Sequence, residues 1–563
     1  MRRSNFATLL GAAVLCSALL AAVAHAATIV IQNGDPAGVG FNDTTPAAPV
    51  GGNPGTTIGQ QRLNVFNQAA SIWSAILPDP VTIVVQAQFT ALSCNATSAV
   101  LGSAGPVNVI RDFSGAEIGS TWYHAALANK LAGVDLIPAN PDISANFNVN
   151  LGQPGCLTGS FFYYGFDHNE GTNIDLLAVV IHEFAHGLGF STLVNLSTGT
   201  IFSGFNDLYE RHILDDTSGL HWDAMTDAQR QASAVNTGNV VFDGPATNLK
   251  TSTILNRRQQ VVVNSPPGIA GTYTSGSSTF GGPLTVAGVT ASVVQADDGS
   301  APNSDACSPL INAAAVAGKI CLVDRGTCPF ATKAENAQAA GAVAVMIVNN
   351  VAGAPAELGG VDPTVTIPVL SLSMTDGNNI RAQLGGGVNA TVGESSIHLA
   401  GADNNNRALL YTPNPVLPGS TISHWDVSAA PSLLMEPIIT PDLTSSVDLT
   451  RYAFEDLGWL PRTSGVPQSP VASPEQSFNS PNPFSSSTTI HFALARPSSV
   501  DLAVFDLGGR LVKRLAQSPL AAGSQTVSWD GTDAEGRRME PGVYLYRLRA
   551  GEQLESHRMV LFR

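Results

Sequence analysis

The stretch His182-Glu-Phe-Ala-His-Gly-Leu-Gly-Phe190 decides how the chain is read. It follows the apolar run Ile174-Asp-Leu-Leu-Ala-Val-Val-Ile181. Across the two, Leu177, Ile181, Phe184 and Leu188 recur at helical spacing, so the motif is expected on a largely buried helix. Residues four apart share a helix face, so His182 and His186 can aim imidazole nitrogens at one metal ion while Glu183 points beside them. His-Glu-x-x-His is the pattern of a zinc site with the glutamate as general base. Two histidines leave such a site incomplete, because catalytic zinc takes three protein ligands and keeps a fourth position open for water.

In the metzincin pattern the third histidine follows three residues after the glycine, and that position is Thr192 here. Three alternatives remain. A carboxylate ligand would give a gluzincin-like site, with Glu210 in Phe205-Asn-Asp-Leu-Tyr-Glu-Arg211 best placed and Asp207 beside it. The site could have lost its metal. A histidine could also arrive from far away across an insertion, and the segment Ser423-His-Trp-Asp-Val-Ser-Ala-Ala-Pro-Ser-Leu-Leu-Met-Glu-Pro437 favours this third course.

Taken together, the two segments resemble leishmanolysin-type metzincins, in which an insertion separates the helix motif from a His-Trp and a Leu-Met follows shortly after. The resemblance implies His182, His186 and His424 as Zn2+ ligands, Glu183 as general base and Met435 as the residue of the Met-turn under the metal. It implies hydrolysis of internal bonds in protein or peptide substrates. A reading from another class is a non-catalytic surface binding protein whose zinc helix is a relic; the intact Glu183 argues against it, since a protein needing only the metal could dispense with the base.

Around this centre the 563 residues are too many for one domain. Residues 1–26 read as a secretory signal peptide: Arg2 and Arg3, then the apolar run Phe6 to Val23, then Ala24-His-Ala26. The expected location is secreted or cell-surface, and no later apolar run approaches the roughly 18 residues of an integral membrane span. The net charge is −16, or −18 once Arg2 and Arg3 leave with the signal, and an acidic surface repels phosphate backbones, so no nucleic acid partner is expected. Of the cysteines beyond the signal, Cys94 is expected to pair with Cys156, and two of Cys307, Cys321 and Cys328 with each other.

The first part of the catalytic domain is assigned to 27–250. Leu63, Phe66, Ala70, Trp73 and Leu77 predict an amphipathic helix, and the alternation from Val81 to Phe89 a strand. Ile143 to Val149 also alternates, and the resemblance makes it the sheet edge along which extended substrate lies. Phe205 to Asp216 and Asp223 to Ala234 are read as short helices. Residues 251–400 turn rich in Gly, Ala and Val. Their run Gly318-Lys-Ile-Cys-Leu-Val-Asp-Arg-Gly-Thr-Cys-Pro-Phe330, with Val343 to Val348 and Ile367-Pro-Val-Leu-Ser371, looks like an inserted protease-associated (PA) domain. Such domains modulate substrate access or bind partners in other proteases.

The second catalytic part, 401–461, carries the third ligand, the Met-turn and a closing helix through Leu449, Tyr452, Ala453 and Leu457. A Ser- and Pro-rich linker, 462–476, leads to 477–563, whose short alternating strands broken by Gly and Asp read as an Ig-like β-sandwich. That segment resembles the FlgD-like, type IX secretion C-terminal domains, which implies contacts with secretion machinery. The fold class is therefore multidomain α+β, a metzincin-like zinc protease domain interrupted by a PA domain and followed by a β-sandwich.

Overall fold

The structure, a computed structural model, describes residues 26–460 apart from 441, 442, 444 and 445, and 478–562 apart from 481, 483, 495–497, 507–509, 521, 522, 551 and 552. The signal segment 1–26, save Ala26, and the linker 462–476 lie outside the described residues. The chain divides into two compact units, Met1–Thr463 and Ser464–Arg563.

In the first unit the helix Ile58–Ile76 starts where Thr57 accepts a hydrogen bond from the Gln60 amide, which satisfies one of the free donors of the first turn. Its inward stripe is Val65, Phe66, Ala69, Ala70 and Trp73. Leu63, expected on that stripe, sits at its margin and is exposed. The helix packs on a four-stranded sheet in the order Ile29–Asn33, Ile83–Thr90, Ile143–Asn148, Gly102–Pro106. The first three strands run parallel and the last antiparallel.

This order corrects the expected edge. Ile143–Asn148 is interior, with Ile143, Ala145 and Phe147 buried, and the edge strand beside it is Gly102–Pro106, Ile29–Asn33 forming the opposite edge. Alternating hydrophobicity reports burial on one face, not position within a sheet, and Gly-Ser-Ala-Gly-Pro has no alternation to report.

The motif lies on the helix Leu176–Leu188, every residue of which is buried. Asp175 caps it, accepting from the Leu177 amide. Trp73 donates to the Ile181 carbonyl (3.0 Å), and Phe184 meets Phe66 at 6.1 Å between centroids, so the first helix and the motif helix share one aromatic core with Phe41, Phe89 and Phe147. Two glycines of the motif have separate tasks. Gly187 faces Ile143, whose Cγ2 stands 2.4 Å from where a Cβ would be, so the helix comes closer to the sheet than a side chain allows. Gly189, at φ +130°, turns the chain out of the helix. Trp459 then donates to the Leu188 carbonyl at 2.8 Å, covering the helix end.

Of Phe205 to Asp216, read as a helix, only the single 3-10 turn Glu210–His212 is helical, set between the short strands Asn206–Asp207 and Ile213–Asp215. Asp207 and Glu210 each accept from the other's amide (2.7 and 2.8 Å), and Ile213–Asp215 pairs with Val240–Phe242. In the second candidate segment the helix is Asp227–Ser233, delayed because Thr226 and Gln229 form a capping box at its start.

A closed seven-stranded barrel spans Arg257 to Leu399, in the order Arg257–Ser265, Gly271–Gly276, Val369–Leu372, Ala344–Val348, Ile320–Asp324, Val289–Gln295, Asn389–Leu399. Its inner parallel strands Ile320–Asp324, Ala344–Val348 and Val369–Leu372 are near-continuous buried runs because both faces are covered, while Val289–Gln295 alternates and is only partly buried. The two ends of the barrel segment lie side by side. Arg257 pairs with Leu399, and the Ala400 amide donates to the Asn256 carbonyl at 2.9 Å. Cys94 pairs with Cys156 and Cys307 with Cys328, while Cys321 stays a buried thiol on a core strand of the barrel.

The second unit is a sandwich of two antiparallel sheets. One contains Phe478–Ser480, Thr488–Leu494 and Gly523–Trp529; the other contains Leu511–Leu520, Ser498–Asp506, Gly542–Ala550 and Gln553–Leu561. Trp529, Tyr546, Leu502 and Met559 fill its core.

The approach of Gly187 to Ile143 is directly testable. Gly187→Ala is expected to cost about 1–3 kcal/mol through overpacking. Combined with Ile143→Ala it should cost less than the sum of the two single changes, as read by urea denaturation.

Candidate metal centre

Chain connectivity carries His424 to the motif helix in three steps. On leaving the barrel, Ala408 accepts from the Phe242 amide, and Leu409 bridges Val241. Leu410 next bridges Trp425, with the Tyr411 amide donating to the His424 carbonyl (2.9 Å). Trp425 is fully buried against Phe190 and Phe242 and donates to Thr450 Oγ1 on the closing helix Thr450–Asp456 (3.1 Å). Trp425 thus anchors this segment, and its neighbour His424 turns toward the motif helix.

The Nε2 atom of His182 stands 3.1 Å from that of His186 and 3.2 Å from that of His424. Each Nδ1 meets a backbone carbonyl: Leu434 for His182 (2.7 Å), Phe190 for His186 (2.9 Å) and Ser420 for His424 (2.7 Å). A carbonyl only accepts, so each Nδ1 carries the proton and each Nε2 presents a lone pair. The rings are also held neutral. Burial, with His186 nearby, pushes His182 down to about 3; burial pushes His186 to about 4; burial and the other two rings push His424 well below the usual range.

Three inward lone pairs with no proton among them repel one another, and a cation relieves that repulsion. Zinc–nitrogen bonds of about 2.0–2.1 Å at tetrahedral angles separate two nitrogens by ~3.3 Å, close to the spacings present. The donor set therefore fits a zinc ion. Among the described residues this is the one group of three or more His, Cys, Asp or Glu side chains with ligand atoms so close together.

Glu183, between the two helix histidines in the chain, is buried. Burial pushes its carboxyl up to about 8, and a hydrogen bond from the backbone of Ala104, on the edge strand, pulls the other way. Met435 is fully buried in the turn from Leu433 to Glu436; the Leu433 amide donates to Glu436 Oε1 at 2.8 Å, and the Leu434 amide to Asp448 Oδ2 at 2.5 Å. This turn places the Leu434 carbonyl on His182, a supporting role that no side-chain motif announces.

Glu210 does not join the group, which corrects the gluzincin-like alternative. Its Oε1 accepts from the Asp207 amide, its Oε2 is buried without a hydrogen-bond partner among the described residues, and burial beside Asp207 raises its pKa. No motif in the sequence pointed to His124. It is buried, pushed down to about 4 by burial and by His186, and lines a small cleft at the end of the motif helix with Trp122, Ser191, Asp207 and Tyr209.

Residues 289–380 match the family described as PA domain, and residues 481–553 the FlgD Ig-like domain. Among curated proteins, the chain is 40% identical over 100 residues to a probable lipoprotein aminopeptidase LpqL of Mycobacterium tuberculosis, covering 17% of this chain and 19% of that protein. It is 35% identical over 74 residues to the minor extracellular protease Vpr of Bacillus subtilis, covering 13% and 9% respectively. It is also 35% identical over 118 residues to the ER degradation-enhancing alpha-mannosidase-like protein 3 of Xenopus laevis, covering 19% and 12%. The chain thus spans less than a fifth of the length of each of these relatives. Two peptidases and a mannosidase-like protein are among these relatives, so the similarity names no single reaction. Among solved structures, the zinc aminopeptidase BSAP from Bacillus subtilis is 25% identical, covers 26% of this chain and 35% of that one, and has a TM-score of 0.19. A score that low says nothing about the fold around the histidines. The chain is a multidomain α+β protein with a PA domain and a FlgD Ig-like domain, and it shares segments with peptidases.

Asp448 supports the turn beneath His182, accepting from the Leu434 amide and from the Thr450 amide and hydroxyl. Asp448→Ala leaves those buried donors unsatisfied, so a loss of about 1–3 kcal/mol is expected in urea denaturation.

Proposed function

We propose that this chain is an exported zinc-dependent endopeptidase of the leishmanolysin-like metzincin type. The observation that carries the reading is the convergence of three buried, neutral imidazoles through their Nε2 atoms, two of them on a helix that also carries the buried Glu183.

His182, His186 and His424 would hold the zinc, each oriented by its own carbonyl acceptor. Zinc bound there supplies Lewis acidity, lowering the pKa of water toward neutrality and polarising a peptide carbonyl. Glu183 takes a proton from the attacking water at its carboxylate and passes it to the leaving amine. Burial raises the Glu183 carboxyl to about 8, and positive charge held by the three histidines would favour the ionised form a base requires. The helix histidines are too deeply buried and too firmly tied to carbonyls to shuttle that proton themselves. The signal-like segment supports export. The FlgD Ig-like domain is assigned as a sorting or attachment module that contacts secretion machinery, and the PA domain as a modulator of substrate access. No helix among the described residues is long and apolar enough to cross a membrane.

Metal content tests the ligand set. His424→Ala should weaken zinc affinity by more than the ~100-fold that loss of a supporting partner can cause, while Glu210→Ala keeps wild-type stoichiometry by elemental analysis. Retention of zinc by His424→Ala, or its loss in Glu210→Ala, defeats the assignment.

Hydrolysis tests the reaction. An internally quenched peptide with both ends blocked should be cleaved by the wild type, not in the presence of a chelator, and about 10²- to 10⁴-fold more slowly by Glu183→Gln with zinc still bound. Cleavage confined to peptides with a free amino terminus would make the protein an aminopeptidase. No cleavage across a broad peptide library would favour a binding protein.

A further inference from the structure

Gly102 opens the edge strand Gly102–Pro106 and pairs with Phe147. Its φ lies outside the left-handed region, so its conformation does not call for glycine. Strands ordinarily gain from a side chain at such a position.

What the position does not tolerate is volume. A Cβ on Gly102 would stand 2.9 Å from both Cγ and Oε1 of Glu183 and 3.0 Å from its Cδ, inside the 3.4 Å at which ordinary contact begins. The clash involves the stem of the side chain as well as its tip, so swinging the carboxylate does not relieve it. Nor does retreat into solvent, because Glu183 is 7% exposed on a wholly buried helix. Two residues along the same strand, the Ala104 backbone hydrogen-bonds the Glu183 carboxyl. The strand thus makes room for the glutamate with one residue and ties it with another. Gly105, in the same strand, is a natural control, since a Cβ there meets no atom within 4 Å.

We propose that Gly102 is a positioning residue for the general base: the missing side chain lets the Glu183 side chain sit against the edge strand in the place it occupies. The proposal rests on the peptidase reading above for its kinetic consequence and on geometry alone for its steric one.

The test compares Gly102→Ala with Gly105→Ala, each alone and combined with Glu183→Gln, in the full-length protein. The readouts are kcat and KM on the blocked peptide, zinc content, and the crystal structure of metal-free Gly102→Ala. Misplacing a catalytic group by about 1 Å costs on the order of 10²-fold. Gly102→Ala should therefore lose about that factor in kcat with zinc content unchanged, while Gly105→Ala keeps the wild-type kcat. In the Glu183→Gln background, Gly102→Ala should cause no comparable further loss. The crystal structure should show the Glu183 carboxylate moved away from Ala104 with the strand in place.

A wild-type kcat for Gly102→Ala, an equal loss in the Glu183→Gln background, or an unmoved Glu183 beside a displaced strand would each overturn the proposal. If Gly102→Ala does not fold, adding Glu183→Ala removes the clashing arm and should restore folding; failure to do so also overturns it. A wild type that cleaves nothing defeats the peptidase reading instead, and the position of Glu183 in the metal-free crystal still decides the steric claim.

Discussion

Three imidazole lone pairs pointed at one another inside a protein are the constraint on which the rest of the first unit depends. Each Nδ1 spends its proton on a carbonyl from a different part of the chain: Phe190 just past the motif helix, Ser420 just before His424, and Leu434 in the turn above Asp448. Burial holds all three rings neutral. A neutral ring with a fixed tautomer is a ligand already prepared for a cation, since no proton has to leave and no ring has to turn.

That arrangement needs elements distant in sequence to meet with little tolerance. The motif helix is held by Trp73 from one side and Trp459 at its end, each through an indole N–H to a helix carbonyl. Trp425 lies between Phe190 and Phe242 and fixes the segment that bears His424. Large, stiff side chains suit this work, because each combines substantial apolar burial with one directed hydrogen bond and has few rotamers to lose. The barrel between Arg257 and Leu399 does not disturb the arrangement, because it leaves and re-enters the chain at paired residues. Such an insertion behaves as a long loop with fixed ends, and loop closure becomes only slowly more costly with length.

Much of the candidate site was legible in the sequence. His182, Glu183 and His186 are local, so helical periodicity puts them on one helix, and the resemblance carried by the His-Trp and Leu-Met pairs pointed to His424, which joins the two helix histidines. The cysteine partners within the barrel were not legible, since Cys307, Cys321 and Cys328 are equivalent until the fold buries Cys321 on a core strand. Leu63 was misplaced by one step around its helix, because a stripe read from spacing has a margin that only packing resolves. Of Phe205 to Asp216 only the one turn Glu210–His212 is helical, because the side chains that close it, Asp207 and Glu210, act through backbone amides, which have no sequence signature of their own.

By itself the sequence determined the parts that depend on spacing along one element: the buried motif helix, the pair of histidines with a glutamate between them, and the alternating strands. Tertiary structure decided what depends on meetings across the chain. It set Gly102–Pro106 at the sheet edge instead of Ile143–Asn148, placed Glu210 in a turn outside the histidine group, and brought the Leu434 carbonyl to His182. The physical reason is that periodicity encodes which face of an element is buried. Which partner covers that face is chosen by close packing and by the need to satisfy every buried polar group, and both are properties of the folded chain as a whole.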